Sequence, residues 1–146
     1  MLERIVYVSR AAPGMTLETV FGISRAAHVA NARDGLSGGL IFLDGCFASA
    51  LEGPGAALGA AFARIGRDAR HGPVALRARE RALCRLFPGP LALRSRACLD
   101  FGLLEAFGYR PGFPVERFPA DVLLEFLVRA CRGRGRAALD PRRLAG

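Results

Sequence analysis

Several residue types are missing from this chain or scarce in it. None of its 146 residues is Lys, Gln or Trp, so all 21 basic residues are Arg. No apolar run approaches the roughly 20 residues that a membrane-spanning helix needs. The N-terminal stretch MLERIVYVSR has charges at Glu3 and Arg4 and no long apolar segment, which is not the pattern of a secretory signal peptide. We therefore expect a cytoplasmic protein without membrane contact.

Cysteine spacing gives no sign of a disulfide framework or a zinc site. The four cysteines are far apart, no CxxC pair occurs, and no histidine cluster accompanies them: Cys46, Cys84, Cys98 and Cys131. This scatter predicts reduced thiols that are buried or half-buried, and it predicts no metal site.

The formal net charge of +8 is concentrated in two segments, Arg77–Arg96 and Arg129–Arg143. The second segment is spaced by glycine and has no aromatic residue on which a base could stack. We interpret it first as a flexible, solvated tail, second as a contact for an acidic partner, and third as a nucleic-acid arm. Nucleic acid is therefore not the expected partner.

Hydrophobic periodicity and turn signals predict the secondary structure. Helices are expected from the cap at Thr16 to Gly35, from a start at Glu52-Gly53-Pro54, over Cys98–Phe107 and over Ala120–Cys131. A loop is expected at residues 68–73, and Asp44-Gly45 is a hairpin signal. Strands are expected at residues 4–9, 37–43, 46–51, 74–79 and 85–93.

This order of elements predicts an α/β (α+β) fold, a ferredoxin-like βαββαββ sandwich with one mixed sheet and two helices on one face. The chain then divides into three units: the sandwich at 1–95, a helical cap at 96–132 and an Arg-rich flexible tail at 133–146. The last helix is amphipathic. We expect it to cover the other sheet face or to pack on a second subunit, which makes a homodimer one expectation.

Four pieces of the sequence, in this order and at these spacings, resemble the BLUF family, small domains that sense blue light using FAD. They are YVSRAAPGMTL, NARDGLSGGL, the hairpin DGCF followed by LEG, and IGRDARH, within residues 4–93. The family has the same βαββαβ order. In the family the flavin ring lies edge-on between the two helices, so the resemblance implies FAD as the cofactor.

The resemblance also implies roles for individual residues. It matches Tyr7 to the tyrosine that gives an electron and then a proton to the excited flavin. It assigns cofactor contacts to Ile23, Asn31, Asp68, Arg70 and His71. Without the resemblance each has an ordinary explanation: a core tyrosine and an apolar helix face, a helix-end asparagine, a loop-fixing Asp–Arg pair and a solvent-facing histidine.

The chain departs from the family at its photochemical switch. The family has a glutamine whose amide bridges the tyrosine and the flavin, and the matching position here is Ser49. A serine hydroxyl is shorter and has no amide that could rearrange. The fifth strand departs too, with Pro90 and Ala92 where relatives often carry Trp and Met.

We therefore expect a sensory or regulatory domain of the BLUF type, not an enzyme, that binds FAD with an impaired or lost photocycle. It would act on a regulatory protein partner through its sheet face and C-terminal helix. Two alternatives stay open at this point: a flavin-free interaction module and, ranked below it, a small acylphosphatase-like enzyme.

Overall fold

The computed structural model describes residues 1–110 and 115–132, apart from the side chains of His71 and Glu116. Five strands form one sheet: β1 (Leu2–Ala11), β2 (Ser37–Leu43), β3 (Cys46–Pro54), β4 (His71–Arg81) and β5 (Ala92–Ser95). Their order across the sheet is β4-β1-β3-β2-β5. The β2–β5 pair is parallel and the other three pairs are antiparallel. The predicted mixed sheet is confirmed.

Within the described residues four α-helices accompany the sheet: α1 (Leu17–Asp34), α2 (Gly55–Gly66), α3 (Phe101–Ala106) and α4 (Ala120–Arg132). The limits of α1 are set by its caps. The Thr16 hydroxyl accepts a hydrogen bond from the Thr19 amide, and Gly35 ends the helix with φ at 71°. The start of α2 lies later than predicted, because Glu52-Gly53-Pro54 still belong to β3.

Helices α1 and α2 cover one face of the sheet. The side chains of Val20 and Ile23 on α1 pack on Leu40 and Phe47. Leu58 and Ala61 of α2 pack against a second cluster that contains Ile5, Tyr7 and Leu51. These sheet residues alternate along their strands with residues that point to the opposite face, as a pleated strand requires.

Helix α4 covers the opposite face. Its Leu123, Phe126 and Leu127 are fully buried against a sheet surface made of Val6, Val8, Ile41, Leu43, Ala48 and Ala50. This contact confirms the first of the two predicted positions for the helix. It corrects the expectation that the sheet face itself contacts a partner, since α4 occupies that face and buries the apolar stripe that suggested a homodimer.

Close packing of α4 depends on a glycine in β2. A Cβ atom built at Gly39 would lie 2.5 Å from the Cys131 sulfur and 2.8 Å from the Phe87 ring. The helix is also held at its end, where Arg94 donates hydrogen bonds to the carbonyl oxygens of Ala130 and Cys131. The segment predicted as a separate cap therefore shares its core with the sheet, and residues 133–146 lie outside the described residues.

The chain between β4 and β5 corrects the prediction of a strand at 85–93. Only Ala92–Ser95 form β5, and the preceding residues form an irregular connection that contains Pro88 and Pro90. Proline lacks the N–H that a sheet ladder needs. The predicted loop at 68–73 is also shorter, because β4 already begins at His71.

The carboxylate of Glu52 fixes this connection to the sheet. Glu52 is completely buried and accepts hydrogen bonds from the Leu86 and Phe87 amides at 2.8–3.0 Å. It also accepts one from the Ser37 hydroxyl at 2.9 Å and forms an ion pair with Arg4 at 3.1 Å. A buried charge is tolerable only when it is paired and hydrogen-bonded in this way.

All four cysteines are free thiols, as predicted, but Cys84 is exposed rather than buried or half-buried. Burial raises the pKa of the Cys131 thiol to about 11, so this group stays protonated at neutral pH. No helix within residues 1–110 and 115–132 has the length and apolarity that crossing a membrane requires.

We predict that Glu52→Ala lowers the free energy of unfolding by about 3–5 kcal/mol, because it leaves Arg4 and two amides buried without their acceptor. Glu80→Ala is the matched control. Glu80 pairs with the same Arg4 at 3.8 Å but is 54% exposed, so its loss costs less than about 1 kcal/mol. Urea denaturation measures both values, and equal costs would contradict the role of Glu52.

Candidate functional site

A cavity of about 480 Å³ opens between α1, α2 and the sheet. Five residues that the sequence singled out line it together: Tyr7, Ile23, Asn31, Asp68 and Arg70. They come from separate elements and a loop that are far apart in the chain. The fold therefore brings these five predicted site residues to one place, whereas Ser49 is outside the cavity lining.

The inner walls of the cavity are apolar. Ala26, Ala27 and Ala30 present only methyl groups from α1, and Leu40 and Leu51 contribute from the sheet. A row of alanines on a helix leaves a slot beside it where larger side chains would fill the space.

Asn31 has two roles at the end of α1. Its backbone carbonyl accepts hydrogen bonds from the backbone amides of Gly35 and Leu36, which cap the C-terminal end of the helix. Its side chain is buried in the cavity wall, where Nδ2 donates to the Pro90 carbonyl at 2.9 Å. An amide nitrogen has two N–H groups, so one donor remains after this bond.

Tyr7 and Ser49 lie directly opposite each other on β1 and β3, on the face that α1 and α2 cover. Both are buried, and Ser49 lies outside the cavity lining. Burial raises the pKa of the Tyr7 hydroxyl above 10.0, and its hydrogen bond with Ser49 partly opposes this. The Ser49 hydroxyl also donates a hydrogen bond to the Gly39 carbonyl at 2.8 Å.

Asp68 and Arg70 form a compact pair at the cavity mouth. Asp68 accepts hydrogen bonds from the Arg70 backbone amide at 3.0 Å and from its guanidinium at 2.6–3.1 Å. The bond to Asp68 raises the pKa of Arg70. This geometry is that of a loop-fixing pair, while both side chains also line the cavity. His71 begins β4, and its side chain lies outside the described residues.

Three further arginines line the cavity and were not among the predicted site residues: Arg33, Arg64 and Arg67. Arg33 belongs to the last turn of α1, Arg64 to the last turn of α2, and Arg67 comes directly after α2. All three are exposed, and the packing of α1 beside α2 brings the helix ends that carry them to one mouth.

This combination of walls suits one kind of ligand. Apolar alanine, isoleucine and leucine walls favour a flat apolar body, Asn31 offers a donor within the wall, and the arginines favour an anionic end at the mouth. Among the described residues no group of His, Cys, Asp and Glu is arranged to hold a metal ion.

Comparison with known proteins gives a specific match. A family model described as sensors of blue light using FAD matches residues 2–90. A photoactivated adenylate cyclase subunit alpha-like protein FB from Euglena gracilis is 34% identical over 70 residues. These residues are 48% of this chain but 7% of that relative, so the chain corresponds to a small part of it.

Solved structures share the architecture. The dark-state structure of BlrB, a BLUF protein, superposes with a TM-score of 0.72 at 26% identity, covering 88% of this chain and 93% of that chain. The photo-activated state of BlsA gives a TM-score of 0.79 at 20% identity, covering 90% and 95%. At that identity the second likeness concerns the fold alone.

We predict that Tyr7 ionises above pH 10.0 and that Ser49→Ala moves this titration higher, because it removes the hydrogen bond that lowers the pKa. The chain has two tyrosines, so Tyr109→Phe leaves Tyr7 as the only one. Ultraviolet absorbance of the phenolate measures the shift in that background. Since the folded pKa is raised, the stability due to Tyr7 is present below pH 10 and is lost as pH rises through the folded value.

An unchanged titration curve in the Ser49→Ala variant would contradict the hydrogen bond between the two side chains. Thermal unfolding at neutral pH serves as the control that the variant still folds.

Proposed function

The chain belongs to the BLUF family of sensors of blue light using FAD, and on that premise we propose that its cavity binds the flavin of FAD. The observation that carries the proposal is that Tyr7, Ile23, Asn31, Asp68 and Arg70 line one cavity. Flat apolar walls beside a cationic mouth fit a ring system with a diphosphate tail.

The flavin ring would lie between α1 and α2, where the alanine wall of α1 leaves the room. Ile23 and the leucines would contact the ring faces, and the free N–H of Asn31 would donate to a ring carbonyl. Asp68, Arg70 and His71 would meet the ring edge and the polar tail. A bound flavin would supply the absorption of blue light.

Tyr7 is the candidate electron and proton donor, and Ser49 determines whether its hydrogen bonds can rearrange. The Tyr7 hydroxyl is hydrogen-bonded to Ser49, and the Ser49 hydroxyl donates to the Gly39 carbonyl. This chain of hydrogen bonds ends in the backbone and contains no side-chain amide. We therefore propose that light does not produce the family's rearrangement of hydrogen bonds, and that flavin binding persists without the photocycle.

The domain would act as a regulatory module on an effector protein in the cytoplasm. Support for an effector comes from the adenylate cyclase relative, in which the matched region is a small part. The β4–β5 connection would link the cavity to α4. The Asn31 side chain donates a hydrogen bond to the Pro90 carbonyl, and Phe87, three residues before Pro90, belongs to the hydrophobic cluster beneath α4. The outer side of α4 is then the partner surface, in place of the covered sheet face.

We predict that Ala27→Phe weakens FAD binding by at least about tenfold, because a phenyl ring fills the slot beside α1. Ala32→Phe is the matched control on the same helix, since Ala32 is exposed and outside the cavity lining. Quenching of flavin fluorescence during titration measures both affinities. Equal affinities in the two variants would place the flavin elsewhere, and absence of binding in the wild type would favour the flavin-free interaction module.

We predict that Ser49→Gln in the FAD-loaded chain produces a red-shifted flavin band under blue light. The amide supplies both a donor and an acceptor between Tyr7 and the ring. Ser49→Glu is the control, with similar length and no amide N–H. Absorbance before and during illumination measures the effect, and the combined Ser49→Gln, Tyr7→Phe variant should lose it. A red shift that survives Tyr7→Phe would contradict the role of Tyr7.

A further inference from the structure

The mouth of the cavity carries more positive charge than its carboxylates neutralise. Four arginines line it, Arg33, Arg64, Arg67 and Arg70. Two carboxylates accompany them. Asp68 pairs with Arg70, and Asp34 pairs with Arg33 at 2.8 Å and with Arg64 at 3.9 Å. Four cations against two anions leave a local charge of +2.

Helix ends oppose this charge but do not cancel it. Both α1 and α2 end at the mouth, and the C-terminus of a helix carries about half a negative charge. Two such ends contribute about −1, which leaves an excess of about +1. Neutralising the two helix ends therefore explains only part of the positive charge at the mouth.

Arg67 differs from the other arginines of this cluster. Among residues 1–110 and 115–132 no carboxylate lies within ion-pair distance of its guanidinium, whereas the other three arginines each have one. Arg67 is exposed and comes after the last turn of α2, so its side chain can turn to a ligand without breaking an existing ion pair.

We propose that Arg33, Arg64 and Arg67 form an anion subsite that selects phosphorylated flavins, FMN and FAD, over riboflavin. The inference rests on the proposed function for the identity of the ligand class, and it adds the residues that read the phosphate. The resemblance to relatives assigns none of these three residues. Asp34 opposes the subsite, because it holds Arg33 and Arg64 and adds a negative charge beside them.

Charge-changing variants of opposite sign test the subsite. Dissociation constants of riboflavin, FMN and FAD are measured for the full chain by quenching of flavin fluorescence. The wild type is expected to bind both phosphorylated flavins at least about threefold more tightly than riboflavin, and rising salt should reduce this preference. Arg67→Gln should lower the FMN-to-riboflavin preference about threefold, and Asp34→Asn should raise it by a similar factor.

Two controls separate local from general effects. Riboflavin affinity should change less than about twofold in each variant, since no phosphate is present to sense the charge. Arg81→Gln removes one exposed cation outside the cavity lining and should leave the preference unchanged.

Each outcome decides a different question. Equal binding of riboflavin and FMN in the wild type, or no opposite response to Arg67→Gln and Asp34→Asn, overturns the subsite while the proposed flavin site stands. Absence of binding for all three flavins overturns the proposed function itself. A response to Arg81→Gln as large as that to Arg67→Gln assigns the preference to net charge and overturns the subsite.

Discussion

The buried carboxylate of Glu52 holds together three parts of the chain that the site depends on. It joins β3 to Arg4 of β1, to Ser37 of β2 and to the amides of the β4–β5 connection. The anchored connection then serves both sheet faces. Phe87 packs into the cluster beneath α4, and the Pro90 carbonyl accepts a hydrogen bond from the side-chain amide of Asn31. The cavity and α4 thus share one structural element, which is the connection that the proposed function would use.

Local sequence signals predicted most of the fold, and contacts between residues distant in the chain explain what those signals missed. Helical spacing after Thr16, the glycine stop at Gly35 and the Asp44-Gly45 turn each correspond to the structure because short-range geometry determines them. The strand predicted at 85–93 was wrong because a distant carboxylate, Glu52, takes amides that a ladder would otherwise use. Pro88 and Pro90 are local signals against the strand, but no local pattern shows that Glu52 accepts these amides.

The same distinction applies to the candidate site. Tyr7, Ile23, Asn31, Asp68 and Arg70 came from a family resemblance, and the structure brings all five to one cavity. The three arginines of the proposed anion subsite were missed because exposed arginines at helix ends are common, and their convergence depends on the packing of α1 beside α2. A sequence pattern can therefore indicate the residues of a site. The charge at its mouth can be predicted only when the packing of α1 beside α2 is known.

We propose that Ser49, at the position that the resemblance matches to the switch glutamine, separates the binding of flavin from the response to light. The measurement that tests this separation most directly is the light-minus-dark absorption spectrum of the wild-type chain loaded with FAD. We expect a bound-flavin spectrum in the dark and no red-shifted difference band under blue light. A red-shifted difference band that decays in the dark would contradict it.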